Sequence, residues 1–172
     1  MRRAALAIIV LGLVSGLAAA EAHAQQRRAT LTLVQVLGQP ATSLVVPFGT
    51  IDAMCLTPPA AGVTCALNIP VNGATWYGTV RFRIRLAGPA GLTVRLTGVR
   101  QAGGTAPAGT LVDGPAGVPL TPYPTSPAGA LTLVTAIPRG TTVVNRSIGF
   151  RLTPTDPSGG WVTSIVYSLI VE

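Results

Sequence analysis

The feature that most limits what this chain can fold into is a strict two-residue alternation. From Trp76 to Leu86, one face carries Trp76, Val80, Phe82, Ile84 and Leu86, and the other carries Tyr77, Thr79, Arg81, Arg83 and Arg85. Successive side chains of a strand point to opposite sides, so this pattern describes a ribbon with one apolar and one polar face. The period recurs along the chain. Leu31 and Leu33 alternate with Thr30 and Thr32, and Leu92, Val94 and Leu96 oppose Thr93, Arg95 and Thr97. Leu131 and Leu133 flank Thr132, and Arg146, Ile148, Phe150 and Leu152 share one face. The last segment sets Trp161, Thr163, Ile165, Tyr167 and Leu169 against Val162, Ser164, Val166, Ser168 and Ile170. Residues 25–172 contain no 3.6-residue apolar stripe, and most of the 20 glycines and 15 prolines fall between the alternating segments. Many short strands divided by turn residues predict an all-β, antiparallel sandwich or barrel of seven to nine strands.

The N-terminus is built differently. Met1-Arg2-Arg3 is basic, Ala4–Ala20 is apolar apart from Ser15 and two glycines, and Ala22-His23-Ala24 is a small-residue exit. This three-part arrangement reads as a secretory signal peptide over residues 1–24, cleaved after Ala24. Residues 25–172 are then one domain, of a size that can bury a real core. No later stretch reaches 18 consecutive apolar residues, so no transmembrane helix is expected there. The expected location is periplasmic, cell-surface or extracellular.

Composition excludes several chemistries. His23 is the only histidine and leaves with the leader; there is no lysine, and all 12 cations are arginine. The acids left are Asp52, Asp113, Asp156 and Glu172. Without histidine or lysine there is no Ser-His-Asp or Cys-His nucleophile, no Ser-Lys dyad, no Schiff base and no histidine metal site. A carboxylate pair would require Asp52 and Asp113 to converge from distant loops. The expectation is a protein without catalytic activity, cofactor or metal. A formal charge of +7 for the whole chain suits an anionic partner. In an exported protein that partner is a glycan or surface polymer sooner than a nucleic acid.

Cys55 and Cys65 are the only cysteines. In an oxidising compartment an even pair predicts a structural disulfide, here closing a short loop across Leu56–Gly62. Pro-Ala-Gly occurs at 89–91, 107–109, 115–117 and 127–129. Proline presets φ and glycine accepts a positive φ, so these are turn cassettes. Read as a three-residue hairpin, Pro89–Gly91 sets Arg85 opposite Arg95 and gathers Arg81, Arg83, Arg85 and Arg95 on one outer face. Like charges so placed invite an anionic partner. Residues 101–129 form the least regular stretch, with a short strand expected near Thr110–Val112, a polyproline-like Thr121–Pro127 and Tyr123 as its natural contact residue.

Two stretches, Val46-Pro47-Phe48-Gly49-Thr50-Ile51 followed by Cys55, and Ser158-Gly159-Gly160-Trp161 leading into the terminal strand, resemble exported bacterial fimbrial-subunit and spore-coat-U-like proteins. The resemblance implies an immunoglobulin-like sandwich and self-association, or association with sister surface subunits, through a lent N-terminal strand. Thr30–Val36 is the candidate donor. The leading expectation is a structural or adhesive surface protein. Its rival is a monomeric binder of an anionic glycan through the arginine face. A small outer-membrane barrel is disfavoured by the low aromatic content and the prolines throughout.

Overall fold

The structure, a computed structural model, describes residues 4–10, 28–68, 72–116, 120–124 and 129–172, the first of these segments by its backbone alone. The cleavage point at Ala24 lies outside the described residues. The described chain is all-β and contains no helix. Its strands are β1 (Ala4–Val10), β2 (Arg28–Val36), β3 (Gln39–Pro40), β4 (Val45–Gly49), β5 (Val63–Leu67) and β6 (Ala74–Ala87). They continue with β7 (Thr93–Arg100), β8 (Leu111–Pro115), β9 (Thr121–Pro122), β10 (Ala130–Pro138), β11 (Gly140–Leu152) and β12 (Val162–Val171). These are more pieces than the seven to nine expected. β3 and β9 are two-residue bridges, and β1 belongs to the segment read as a leader.

The strands form two sheets. The first runs β10-β7-β12-β1-β4, and the second runs β3-β2-β6-β11-β8-β9 with β5 on the first half of β6. Every pairing is antiparallel except that of β1 with β12. The inward residues of both sheets share one core, with Trp76, Phe82, Ile84 and Phe150 from the second sheet meeting Phe48, Val94, Leu96, Ile165 and Tyr167 from the first. Phe82 packs on Tyr167 with ring centroids 4.8 Å apart, and Phe48 on Phe150 at 5.2 Å. This is a sandwich-like arrangement in which alternation on each strand supplies one buried face. The central pair, β6 and β11, stays in register over thirteen residues. Gly149 permits this closeness, because any Cβ there would strike the Trp76 carbonyl oxygen.

Three expectations need correction. Pro89–Gly91 does turn, with Gly91 at φ +81°, but it does not make a hairpin. β6 pairs with β2, β5 and β11, whereas β7 pairs with β10 and β12 in the other sheet. The connection arches across the sandwich. Alternation cannot separate the two outcomes, because apolar faces agree in a hairpin and also when strands face each other across a core.

Arg95 consequently sits on the sheet opposite Arg81, Arg83 and Arg85. There its Nε lies 3.0 Å from Glu172 Oε1. The third correction concerns Thr30–Val36. It is not a free arm but part of β2, bonded along β6 of its own chain from Arg28↔Ala87 to Val36↔Val80. Leu31 and Leu33 pack against the core, so withdrawing the strand would expose them.

Candidate functional site

The first sheet contains a lane filled from the extreme N-terminus. β1 lies between β12, with which it runs parallel from Ala5↔Val162 to Val10↔Tyr167, and β4, with which it runs antiparallel from Ala4↔Gly49 to Ala7↔Val45. Among the described residues β4 has no other partner in that sheet, and β12 otherwise pairs only with β7. The strand that completes this sheet thus comes from the segment that the sequence analysis reads as a leader. Apolar side chains line the rim of the lane: Leu44 and Val45 on one side and Val162 on the other are each more than 40% exposed.

The outer face of the second sheet is basic. Arg83 and Arg85 point outward from β6, and Arg81, half-buried, donates from Nε to Asn145 Oδ1 of β11 at 2.8 Å. Alternate residues of a strand are roughly 6.6–6.8 Å apart, so the three guanidinium groups start from evenly spaced points on one line. Their neighbours are uncharged: Arg85 lies between Thr30 and Thr141, Arg83 between Thr32 and Val143. Exposed Arg28 on β2 and Arg139 before β11 extend the charge at the same end. Among the described residues no carboxylate shares this face.

The inward face of the same sheet carries a charge that the sequence shows and a partner that it does not. Arg146 is 5% exposed and Asp113 of β8 is fully buried. Arg146 Nε and Nη2 each lie 2.8 Å from Asp113 Oδ1, and Nη1 donates to the Leu133 carbonyl of the other sheet at 3.0 Å. Asp113 Oδ2 accepts from Tyr123 at 2.8 Å and from Tyr167 of β12 at 3.3 Å. Every lobe of the carboxylate is occupied, as a buried charge requires. Burial pushes the Asp113 carboxyl above its ordinary value, and Arg146 with the two tyrosines offsets part of that rise. Burial, the neighbouring tyrosine and Asp113 raise the Tyr123 hydroxyl well above the usual phenol range. For Tyr167 the rise comes from burial and then from Asp113. The group ties the two sheets together. It also corrects the reading of Tyr123, which is 2% exposed and belongs to the core, not to a contact loop. Residues 117–119 and 125–128 of that loop lie outside the described residues.

The Cys55–Cys65 disulfide is present, with its Cα atoms 5.8 Å apart. Its loop is held a second way. Asp52 accepts the backbone N–H groups of Met54 at 2.7 Å, Leu56 at 3.1 Å and Thr57 at 2.7 Å, and the Trp76 indole donates to the Asp52 carbonyl. Burial alone would raise the Asp52 carboxyl, but the donors from Thr57, Leu56 and Met54 outweigh it and hold it below the ordinary value. This frame presents Leu56, 83% exposed, at the tip.

Beside the loop lies an open cavity of about 310 Å3, lined by Ile51, Asp52, Thr153, Asp156 and Trp161 among others. Its two acids are occupied locally, since Asp156 Oδ2 accepts from the Thr153 N–H at 2.6 Å and from its hydroxyl at 3.0 Å. Asp52 and Asp113 therefore serve separate structural tasks and make no acid pair. Among the described residues no three His, Cys, Asp or Glu side chains cluster as metal ligands would.

Sequence reasoning found the disulfide, the outward arginines of β6 and the face that Arg146 shares with Ile148, Phe150 and Leu152. It missed the lane between β4 and β12. The signal for that lane was an apolar run already explained as a leader. Set against known protein families, curated proteins and solved structures, the chain gives no significant match in any of the three comparisons.

Proposed function

We propose that this protein is an exported, non-catalytic structural subunit of the bacterial surface, with an immunoglobulin-like sandwich that associates with further copies or sister subunits by strand insertion. One observation carries the reading. The lane between β4 and β12 is filled by residues 4–10, which the composition assigns to a leader cleaved after Ala24. Once those residues are gone, β4 and β12 lose their shared neighbour and each presents an unpaired edge. An unpaired edge beside apolar side chains is a template for another strand. Residues 28–36 are engaged by β6 of their own chain, so the entering strand is not supplied by simple release of that segment. The scarcity of catalytic side chains agrees with a structural role.

The test is the mass in solution of the processed, oxidised chain 25–172 across a concentration series, with hydrogen exchange read strand by strand. Oligomers or fibres in which the amides of β4 and β12 become protected are expected. A monomer at every concentration, with those amides already protected, would overturn the reading.

A further inference from the structure

We infer that the outer face of the second sheet is a binding surface for an extended acidic polysaccharide, a role that does not depend on strand insertion. Three observations converge on it. First, Arg81, Arg83 and Arg85 form one straight row along β6, with Arg28 and Arg139 beyond its end. A linear polyanion can meet such a row repeatedly, and each further contact adds little ordering cost once the first is made.

Second, the row is uncompensated among the described residues. Asp113 is inside the core, Asp52 and Asp156 are engaged by backbone and hydroxyl donors in loops, and Glu172 is on the other sheet with Arg95. Coulomb attraction to carboxylate or sulfate groups is therefore not spent within the protein. Arginine, with its planar fork of donors, suits such groups.

Third, the surroundings are those of a hydroxyl-rich ligand. Thr30, Thr32, Thr141 and Asn145 flank the row in register, and half-buried Tyr77 lies farther along the same face of β6. Hydroxyl and amide groups can pair with sugar hydroxyls, and one aromatic ring offers a face for stacking. Two other polyanions fit less well. A lipid surface would be met by apolar side chains among the cations, but among the described residues of β2, β6 and β11 beside the row Val143 is the one large apolar side chain that is exposed. Single-stranded nucleic acid is held by successive aromatic platforms, and this row has Tyr77 alone.

The experiment uses the full chain with its disulfide intact. Its affinity would be measured for polygalacturonate, dextran sulfate, neutral dextran, vesicles of phosphatidylglycerol and phosphatidylcholine, and oligo-dT. Binding to one or both acidic polysaccharides is expected, weakening as salt rises through the range where surface charges are screened. The double variant R83Q/R85Q should weaken it by about tenfold, a loss on the order of two exposed charge contacts. R95Q, which removes one charge from the opposite sheet, should stay within about twofold by the same measure. Both positions of the double variant are exposed, and an unchanged urea midpoint would establish that it folds. If R83Q/R85Q misfolds, the single variants R83Q and R85Q, each expected to weaken binding severalfold, take its place. No binding to either acidic polysaccharide, equal binding to neutral dextran, tighter binding to vesicles or oligo-dT, or an equal loss in R95Q would each overturn the assignment.

Discussion

Replacing Arg146 by methionine tests the core most directly. The change keeps most of the stem and removes the guanidinium from three contacts, two with Asp113 Oδ1 and one with the Leu133 carbonyl. The fully buried carboxylate then keeps only the two tyrosine hydroxyls. Breaking a buried pair by removing one partner costs about 3–5 kcal/mol, because the charge left behind is uncompensated. A domain of this size is stable by about 5–15 kcal/mol in total, so the variant should sit near the edge of folding.

The reciprocal variant, Asp113→Leu, strands the guanidinium and deprives both tyrosines of their acceptor, with a cost of the same order. Joining the two changes leaves an apolar pair of similar volume, and such replacements are often neutral or stabilising. The double variant should therefore regain most of the loss. The assay is urea unfolding of the oxidised chain, comparing midpoints at constant slope in a double-mutant cycle. The penalty of Arg146→Met should also shrink in acid. The folded-state value of Asp113 is already raised by burial and rises further without Arg146, so its stabilising share is present below the unfolded value of about 3.9 and is lost as pH climbs through the folded value. Single-variant losses below about 1 kcal/mol, or strictly additive losses, would refute the view that this group fastens the two sheets.

Three further outcomes follow from neighbouring geometry. Tyr123→Phe should cost about 1.5–3 kcal/mol, since it removes a 2.8 Å bond to a buried carboxylate, and Tyr167→Phe should cost less because its bond is 3.3 Å; their urea midpoints give the ranking. Reducing the disulfide, or replacing both cysteines by serine, should lower stability by about 2–3 kcal/mol for so short a loop, read by calorimetry with and without reductant. Asp52 has a lowered folded value, so its hold on the loop is complete above the unfolded value and fades as pH falls through the folded one. Amide exchange at Met54, Leu56 and Thr57 should then speed up in strong acid, and Asp52→Asn should abolish that dependence.

What could be read from the sequence was local. Period-two runs located β6, β11 and β12, because one buried face writes itself into the order of side chains. The cysteine pair was legible because a short chain-closing link needs only spacing and an oxidising setting. Connections between sheets were not legible. Gly91 announces a turn, yet its left-handed φ serves a hairpin or an arch equally well. The partner of Arg146 was hidden for a similar reason. Asp113 sits 33 residues away in the least regular stretch, and only the register Ile148↔Asp113 brings it beside that strand. Tyr123 was misplaced because prolines on either side suggested an exposed segment, whereas its hydroxyl satisfies a charge in the core. The lane filled by β1 lay beyond any reading that first set residues 1–24 apart from the fold as a leader.

The arch at Pro89–Gly91 gives the particle two unlike sides. It carries the chain from the sheet with the uncompensated arginines to the sheet with the lane between β4 and β12, and it leaves their outer surfaces facing away from each other. Under the two roles proposed above, a copy laid down on an acidic matrix through its cationic side would keep the sheet that contains the lane on its far side. Anchoring and strand insertion would then fall on different sheets and not compete for the same ground.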